Sequence, residues 1–473
     1  MRDYSVTIYL LLGMIFCPMM MSASTSGESL LQDSVPTQWA YNEHFNQEIP
    51  TDDNWWSSFN DPMLDSLITE GIANNYNVLM AGRRIEVAKQ ALNSARAGYF
   101  PTVGFSGGWT KSRTSGATTS QLIPSTTVDY MSLGLNMSWE VDVFGKIYAK
   151  AKQQKASYNA TRAEYAAAMT SLCANIAKDY ITLRMYQAEY AVATEHIASQ
   201  GKIVKMTEAR QTAGLASALD VAQAKIVYYS TQASLPGLES SIHTTINSLA
   251  TLLGVYPEEI YKKLEIAQPM PEYQRIVPVG VPADLLRRRP DIVQAEYEVA
   301  GYAAAVGIAK RDFLPTLTIN GTIGTTAHNG SELFKNQSLT YSIAPTLTWT
   351  LFDGLARRAN LISAREQYQI GVENYNLTVM TAIQEVDNAY SSYLSSLKSI
   401  DVLNQLVDQS HKALALSVDL YKSDLKPFSD VVSAQMSLLE NQNSLVTSQG
   451  QALTSLITLY EALGGGWNVS QIN

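Results

Sequence analysis

The sequence is poor in the residue clusters on which catalysis depends. Only two of its 473 residues are cysteines, and charged residues make up 16% of the chain. The five histidines lie far apart, mostly in stretches with helical periodicity, and do not have the spacing of a metal site. The glycine run at residues 464–466 lacks the strand–helix context and the lysine of a phosphate loop. The sequence therefore predicts no enzymatic activity, no cofactor and no metal site.

Long apolar runs and an excess of positive charge are also missing. Beyond the N-terminus no run of 18 or more apolar residues occurs, so no transmembrane helix is predicted. The formal net charge is −9, which argues against nucleic acid as a partner. The same charge gives no reason to expect binding to anionic lipid.

The N-terminus has the pattern of an export signal. Arg2 precedes a short apolar core at residues 6–16, and small residues near Ala23 suit a cleavage site. Removal of residues 1–23 leaves Cys173 as the remaining cysteine, which excludes an internal disulfide. An alternative is a lipoprotein signal with acylation of Cys17, although Phe16 stands where a small residue is expected. Either route predicts an exported protein.

Residues 146–212 predict a single helix about 100 Å long. Proline is absent from this stretch, and an apolar residue recurs every seven positions from Met169 to Val204. The same stripe returns 210 residues later, from Val379 to Leu414. A sustained seven-residue repeat makes helices supercoil around one another, so the chain is predicted to contain two copies of a coiled-coil rod.

Alternating sequences precede both long helices. In residues 101–141 and 315–352, apolar positions alternate with threonine, serine, asparagine and glycine, which predicts two β-hairpins. A soluble sandwich is an alternative, but its outer face usually carries charge, whereas these polar faces are nearly uncharged. Each strand is long enough to cross a bilayer at a tilt. Four strands cannot close a barrel in lipid, so several copies of the chain must combine.

The chain is organised as an internal duplication. It divides into a signal peptide (1–23), an N-terminal arm (24–62), a first repeat (63–272) and a second repeat (273–473). Each repeat opens with a helix, of which the first is expected to run unbroken over residues 63–98. The hairpins at 101–141 and 315–352 follow, then long helices at 146–212 and 357–424. Returning helices are predicted at 217–254 and 427–464, and residues 255–281 are expected to form an irregular link.

Short motifs mark the two repeats: Phe313-Leu-Pro315 matches Tyr99-Phe-Pro101, and Trp349 to Gly354 matches Trp139 to Gly145. Arg289-Pro-Asp291 opens a helix at the position of residues 74–77. With the duplication, they resemble the TolC-type outer-membrane efflux channels of the NodT-like branch, over about residues 50–465. The resemblance implies a mainly α-helical fold with transmembrane β-structure. The implied assembly is a homotrimer with a twelve-stranded barrel in the outer membrane, continued by a coiled-coil barrel of long helices in the periplasm.

The function that this resemblance implies is a passive exit duct for small molecules. Its implied partners are a periplasmic adaptor protein, an inner-membrane pump of the resistance–nodulation–division type, and outer-membrane lipid. The turns at Gly214-Leu215 and Asp424-Leu425 match the tips at which adaptors dock in the family. Two alternatives remain open at this point: a type I protein-secretion duct, and a periplasmic coiled-coil scaffold without a membrane barrel.

Two carboxylates near the predicted tips are candidates for a gate. Asp220 and Asp430 each stand in the first turn of a returning helix, where a carboxylate also stabilises the helix dipole. In a trimer each residue would form a ring of three, and acidic rings set cation preference and line constrictions. The resemblance implies a gate at the second turn, where Asp430 is present and Ser433 replaces a second carboxylate.

Overall fold

A computed structural model of the chain describes residues 54–115, 126–271 and 288–465. The predicted signal peptide, Cys17 and residues 24–53 of the predicted arm lie outside this part. The helices are Pro62–Asn74 (α1), Tyr76–Ala97 (α2), Lys146–Thr212 (α3), Ala218–Leu253 (α4), Pro257–Leu264 (α5), Pro290–Arg311 (α6), Ala356–Lys422 (α7) and Phe428–Ala462 (α8). The strands are Thr102–Arg113 (β1), Thr127–Val141 (β2), Thr316–Ala327 (β3) and Leu339–Thr348 (β4). Short 3-10 turns lie at Trp55–Phe59, Gly330–Glu332 and Asn336–Ser338.

The four strands form one antiparallel sheet in the order β1-β2-β3-β4. One row of paired residues across the four strands is apolar: Phe105, Leu135, Ile323 and Tyr341. The adjacent row contains glycine and polar residues: Gly104, Asn136, Thr322 and Ser342. Side chains on the second face bond to one another, since Ser138 donates to Asn320 Oδ1 at 3.0 Å. Because successive residues of a strand face opposite sides, the sheet has one apolar and one polar face.

The two long helices each span 67 residues. Four of their heptad positions are fully buried, namely Ile176, Leu183, Val386 and Tyr393. Near the sheet, the helices lie side by side in the order α2-α3-α6-α7, and farther away in the order α4-α3-α8-α7. Within the described residues, no helix is both long and apolar enough to cross a membrane.

The returning helix α4 begins and ends as its sequence predicts. Ser217 and Asp220 form a reciprocal capping box, in which the Asp220 amide donates to Ser217 Oγ at 3.1 Å. Gly254 follows the helix with a φ of 71°, the left-handed conformation that ends many helices. The interior of α4 contains one proline, Pro236.

A belt of short elements packs on one face of α3. Tyr180 on α3 donates to Asp61 Oδ2 at 2.5 Å, and Gln187 donates to the Leu264 carbonyl at 2.7 Å. Ile176 packs against Gly71 of α1 so closely that a Cβ on Gly71 would collide with it. These elements share the largest apolar core of the described residues.

Two predictions about helices differ from the structure. The helix expected over residues 63–98 is divided at Asn75, whose side chain accepts from the amides of Asn77 and Val78 at 2.9 and 3.1 Å and so caps α2. Asn75 Nδ2 also donates to the Leu252 carbonyl at 2.8 Å, which fixes the break against α4. The link expected to be irregular contains α5, which begins at Pro257 and buries Ile260 and Leu264.

The sheet and the rods are joined in the same way in both repeats. The indole nitrogen of Trp139 donates to the Tyr99 carbonyl at 3.0 Å, and that of Trp349 donates to the Phe313 carbonyl at the same distance. β4 ends at Thr348, four residues before the predicted end of the second hairpin at residue 352. Each long helix then starts after a residue with a φ of 74°, Gly145 in the first repeat and Leu355 in the second.

Candidate functional site at the tips of the helical hairpins

The site predicted from sequence lies where the long helices turn into the returning helices. The first turn contains Gly214 with a φ of 74°, and the second contains Asp424 with a φ of 58°. The leucines that follow them, Leu215 and Leu425, are 59% and 69% exposed. The fold thus presents two apolar side chains at the end of the molecule far from the sheet.

Arg210 in the last turn of α3 connects the first hairpin to the second. Its guanidinium forms an ion pair with Asp424, and Nη1 donates to the Lys422 carbonyl at 3.0 Å. The same guanidinium lies over the ring of Tyr421, 5.1 Å from its centroid. Side-chain exposure of Arg210 is only 15%, whereas that of Asp424 is 67%, so the ion pair lies at the surface with its cation largely covered by the hairpins.

Tyr421 makes a second connection between the hairpins. Its hydroxyl donates to Asp220 Oδ2 at 3.1 Å, and Asp220 is held in turn by Ser217 in the capping box. Burial raises the pKa of Tyr421, and the neighbouring Asp220 carboxylate raises it further, so the phenol stays protonated. Arg210, Asp220, Tyr421 and Asp424 together are called the tip network below.

A small apolar cluster supports the tip network. Tyr421 is 5% exposed and meets the ring of Phe428 edge to face, with centroids 5.0 Å apart. Ile203, Ala224 and Val431 complete the cluster. The two hairpins are therefore joined at the tip by apolar packing as well as by polar contacts.

The two predicted gate carboxylates have different surroundings. Asp220 belongs to the tip network, whereas Asp430 Oδ2 lies 3.9 Å from Lys426 Nζ in a partly exposed pair within its own hairpin. Within the described residues, no hydrogen bond or ion pair joins Asp430 to the first hairpin. Residue 427 is proline, where the first repeat has Ser217, so Asp430 has no capping box.

Arg210 and Tyr421 are absent from the residues singled out by sequence. One signal could have found them: both break the duplication, because Leu420 and Gln211 stand at the equivalent positions. Nothing in the sequence shows that these two residues meet across 211 positions. The described residues also contain no group of three or more His, Cys, Asp or Glu side chains placed to hold a metal.

A sheet with one apolar and one polar face, continued by long paired helices, defines a membrane channel with a helical extension. The family model for outer membrane efflux proteins matches residues 67–255 and 281–465, one match for each repeat. Because these matches cover most of the chain, it belongs to the outer membrane efflux protein family.

Individual relatives agree with this assignment. Nodulation protein T of Rhizobium leguminosarum bv. trifolii is 29% identical over 415 residues, which cover 88% of either chain. The solvent efflux pump outer membrane protein SrpC of Pseudomonas putida is 30% identical over 417 residues, covering 87% of either chain.

Solved structures show the same fold. The outer-membrane channel OprN has a TM-score of 0.87 and 26% identity, with 92% of this chain and 97% of that chain covered. VceC of Vibrio cholerae has a TM-score of 0.82 and 30% identity, with 88% and 99% covered.

The family assignment resolves the main alternatives. The chain is an outer-membrane efflux channel with a large periplasmic helical part, its fold is that of the trimeric channels, and it is not an enzyme. The prediction of a TolC-type channel is confirmed, and the scaffold alternative is wrong. Channels of this family work with a periplasmic adaptor and an inner-membrane pump.

Proposed function

We propose that the chain is the outer-membrane duct for small molecules handed over by an adaptor and a resistance–nodulation–division pump. The names of relatives support small molecules, since they mention solvent, toluene and pyoverdine. The pump type is what the resemblance to the NodT-like branch implies, and nodulation protein T is among the relatives. Protein secretion is the competing function.

Deletion of the gene in its host tests the cargo class. We expect greater sensitivity to organic solvents and hydrophobic antibiotics, restored by the wild-type gene, with the same set of proteins in the culture medium. Unchanged sensitivity combined with loss of one secreted protein would support the secretion duct instead.

The tip network is proposed to hold the periplasmic end of the duct closed. The observation that carries this proposal is the pair of connections between hairpins, Arg210 to Asp424 and Tyr421 to Asp220. Opening the end requires the hairpins to separate, and separation breaks both connections. A hydrogen bond to a charged group contributes about 1.5–3 kcal/mol, which applies to the half-buried bond from Tyr421 to Asp220. The pair of Arg210 with Asp424 is exposed on the carboxylate side and adds about 1 kcal/mol or less.

Tyr421→Phe tests the gate because it removes the hydroxyl and keeps the ring. In planar bilayers we expect the variant to raise the conductance or the open probability roughly tenfold or more, as loss of such a bond implies. Lys225→Gln is the matched control: Lys225 pairs with Glu208 at 2.8 Å, but both residues belong to the first hairpin. Equal conductance for wild type, Tyr421→Phe and control would show that the network does not gate the channel.

Asp424→Gly and Asp430→Ala show which of these two carboxylates helps to keep the periplasmic end closed. Glycine at 424 keeps the left-handed backbone and removes only the partner of Arg210, so conductance should rise. If Asp430 forms an axial ring, Asp430→Ala should also raise conductance. If it only stabilises the start of α8, that variant loses up to about 1 kcal/mol of stability and leaves conductance unchanged.

A further inference from the structure

A groove between α2 and α3 is lined by four cations and no carboxylate. The cations are Lys89 and Arg96 on α2 and Lys155 and Arg162 on α3, and the cavity they surround has a volume of about 460 Å³. Tyr158 on α3 and Tyr297 on α6 also line it, with the uncharged side chains of Leu92, Asn93 and Asn159. These four cations and the cavity are called the basic groove.

The uncompensated positive charge of the 460 Å³ cavity rests on Arg96 and Lys155. Lys89 has Glu86 at 3.7 Å on its own helix, and the Arg162 guanidinium lies 5.6 Å from the centroid of the Tyr158 ring. Among residues 54–115, 126–271 and 288–465, no carboxylate lies within ion-pair distance of Arg96 or Lys155. An excess of cations around a cavity favours an anionic ligand, and Arg and Lys bind phosphate oxygens through charge-assisted hydrogen bonds.

The basic groove lies on the outer face of the helical tube. Lys155 and Arg162 precede Met169 and Ile176 at intervals of seven residues, so all four share one face of α3. Farther along the helix, Ile176 on this face packs against Gly71 of the belt. In a channel the belt must lie outside the tube, because its bulk would otherwise block the passage. A ligand in the groove therefore approaches from the periplasm or the membrane surface and not from the passage.

The groove also lies close to the membrane. Arg96 is in the last turn of α2, six residues before β1 begins at Thr102. Lys155 is nine residues into α3, about 14 Å along its axis, and side chains of a helix tilt toward its N-terminus, here toward the sheet. Exposed aromatic side chains at the base of the sheet, Phe100 and Tyr148, mark the level of the membrane interface.

We propose that the basic groove binds the phosphate of an anionic phospholipid in the periplasmic leaflet of the outer membrane. Arg96 and Lys155 hold the phosphate, while Lys89 and Arg162 lie one to two helical turns farther from the sheet. Basic pockets beside membrane-spanning segments bind anionic headgroups in this way. The net charge of −9 conceals this local excess of positive charge, which appears only when α2 and α3 are packed together.

Lipid retention by the purified trimer tests the proposal. Native mass spectrometry in mild detergent, with added phosphatidylglycerol or phosphatidylcholine, compares wild type with the double variant Arg96→Gln/Lys155→Gln. The control is Lys150→Gln/Lys205→Gln, which removes two charges from α3 outside the groove. We expect the groove variant to bind phosphatidylglycerol at least tenfold more weakly, with phosphatidylcholine unaffected and the control equal to wild type.

Three results would overturn the proposal. In the first, wild type retains the two lipids equally. In the second, the groove variant retains phosphatidylglycerol as well as wild type does. In the third, added pyrophosphate binds in a groove-dependent manner while phosphatidylglycerol retention is independent of the groove, which would assign the site to a soluble anion. Trimer mass in the same spectra shows that each variant is assembled.

Discussion

Leu355 occupies a backbone conformation that suits glycine better than leucine. Its φ is 74°, the same as that of Gly145 at the equivalent position of the first repeat, and its side chain is 60% exposed. A side chain with a Cβ pays roughly 1–2 kcal/mol in this left-handed region. The second repeat therefore starts its long helix from a strained residue, which the first repeat avoids.

Leu355→Gly should stabilise the protein by about 0.5–1 kcal/mol per subunit. The relief of backbone strain exceeds the entropy cost of about 0.5–1 kcal/mol that glycine adds. Thermal unfolding of the helices, followed by circular dichroism in detergent, measures the change. Gly145→Leu is the reciprocal variant and should lower the melting temperature; a rise there, or a fall for Leu355→Gly, contradicts the strain argument.

Individual contacts at the tip were the least accessible to sequence analysis. The capping pair Ser217 and Asp220 was predictable because its partners are three residues apart. The contact of Tyr421 with the same Asp220 depends on how two hairpins pack, and no local pattern encodes it. The capping role of Asp220 can therefore be predicted from its position in the helix. Its role in joining the two hairpins can be recognised only in the structure.

At the level of elements, periodicity predicted most of the fold. The long helix at residues 146–212 has the predicted bounds, because its heptad stripe and the absence of proline leave no other conformation with comparable burial. The break at Asn75 was missed because it depends on the contact with Leu252, 177 residues away. Helix α5 was missed because eight residues between prolines carry too little periodicity to distinguish a helix from a loop.

The two faces of the sheet should respond differently to a charge. Leu135 lies in the middle of β2, paired with Phe105 and Ile323 in the apolar row, and its neighbour Asn136 lies on the polar face. Leu135→Arg should impair trimer assembly, since a lipid-facing cation near the bilayer centre costs about 2–4 kcal/mol. Asn136→Arg should cost much less.

The yield of heat-resistant trimer in outer-membrane fractions measures this difference. Leu347 and Thr348 form a similar pair, but they lie at the end of β4, where the cost of a charge is smaller. A second pair in the middle of β4 is Ile343 and Ser342, and it should repeat the result. Equal yields for both faces would mean that the apolar face is not turned to lipid.

The tip turns are expected to act as docking elements for the adaptor. Leu215 and Leu425 are exposed at the end of the hairpins and take no part in the apolar cluster beneath them. Leu215→Asp and Leu425→Asp should therefore abolish efflux in cells, because charge replaces an apolar contact, while single-channel conductance stays unchanged. Normal efflux with both variants combined would place the docking surface elsewhere.

The whole molecule depends on neighbouring copies to complete its sheet. β1 and β4 are the two edges of the sheet, and each exposes backbone donors and acceptors that lipid cannot satisfy. Exposed apolar side chains also line the outermost helices, including Val87 on α2 and Ile370 and Leu377 on α7. Pairing of β1 with β4 of the next subunit would satisfy the sheet edges, and packing of the outermost helices of neighbouring subunits would cover the apolar side chains.

In mild detergent the protein should therefore behave as a trimer that resists dissociation by SDS without heating. Multi-angle light scattering, corrected for bound detergent, gives the protein mass directly. A variant with proline at Ile343 should reduce the trimer fraction, because it removes a backbone donor in the edge strand and disturbs its pairing. A monodisperse monomer for the wild type would contradict the prediction that the sheet edges are paired between subunits.

Pro236 distributes mechanical stiffness unevenly along the tube. Proline cannot donate to the carbonyl four residues earlier, so α4 lacks one backbone bond at that level and its ring favours a bend. Helices α3, α7 and α8 contain no proline in their interiors, and Val446 stands at the equivalent position of α8. When force is applied at the tips, α3, α7 and α8 of each subunit therefore resist bending more than α4 does. Bending concentrates near residue 236, well away from both the membrane and the tips.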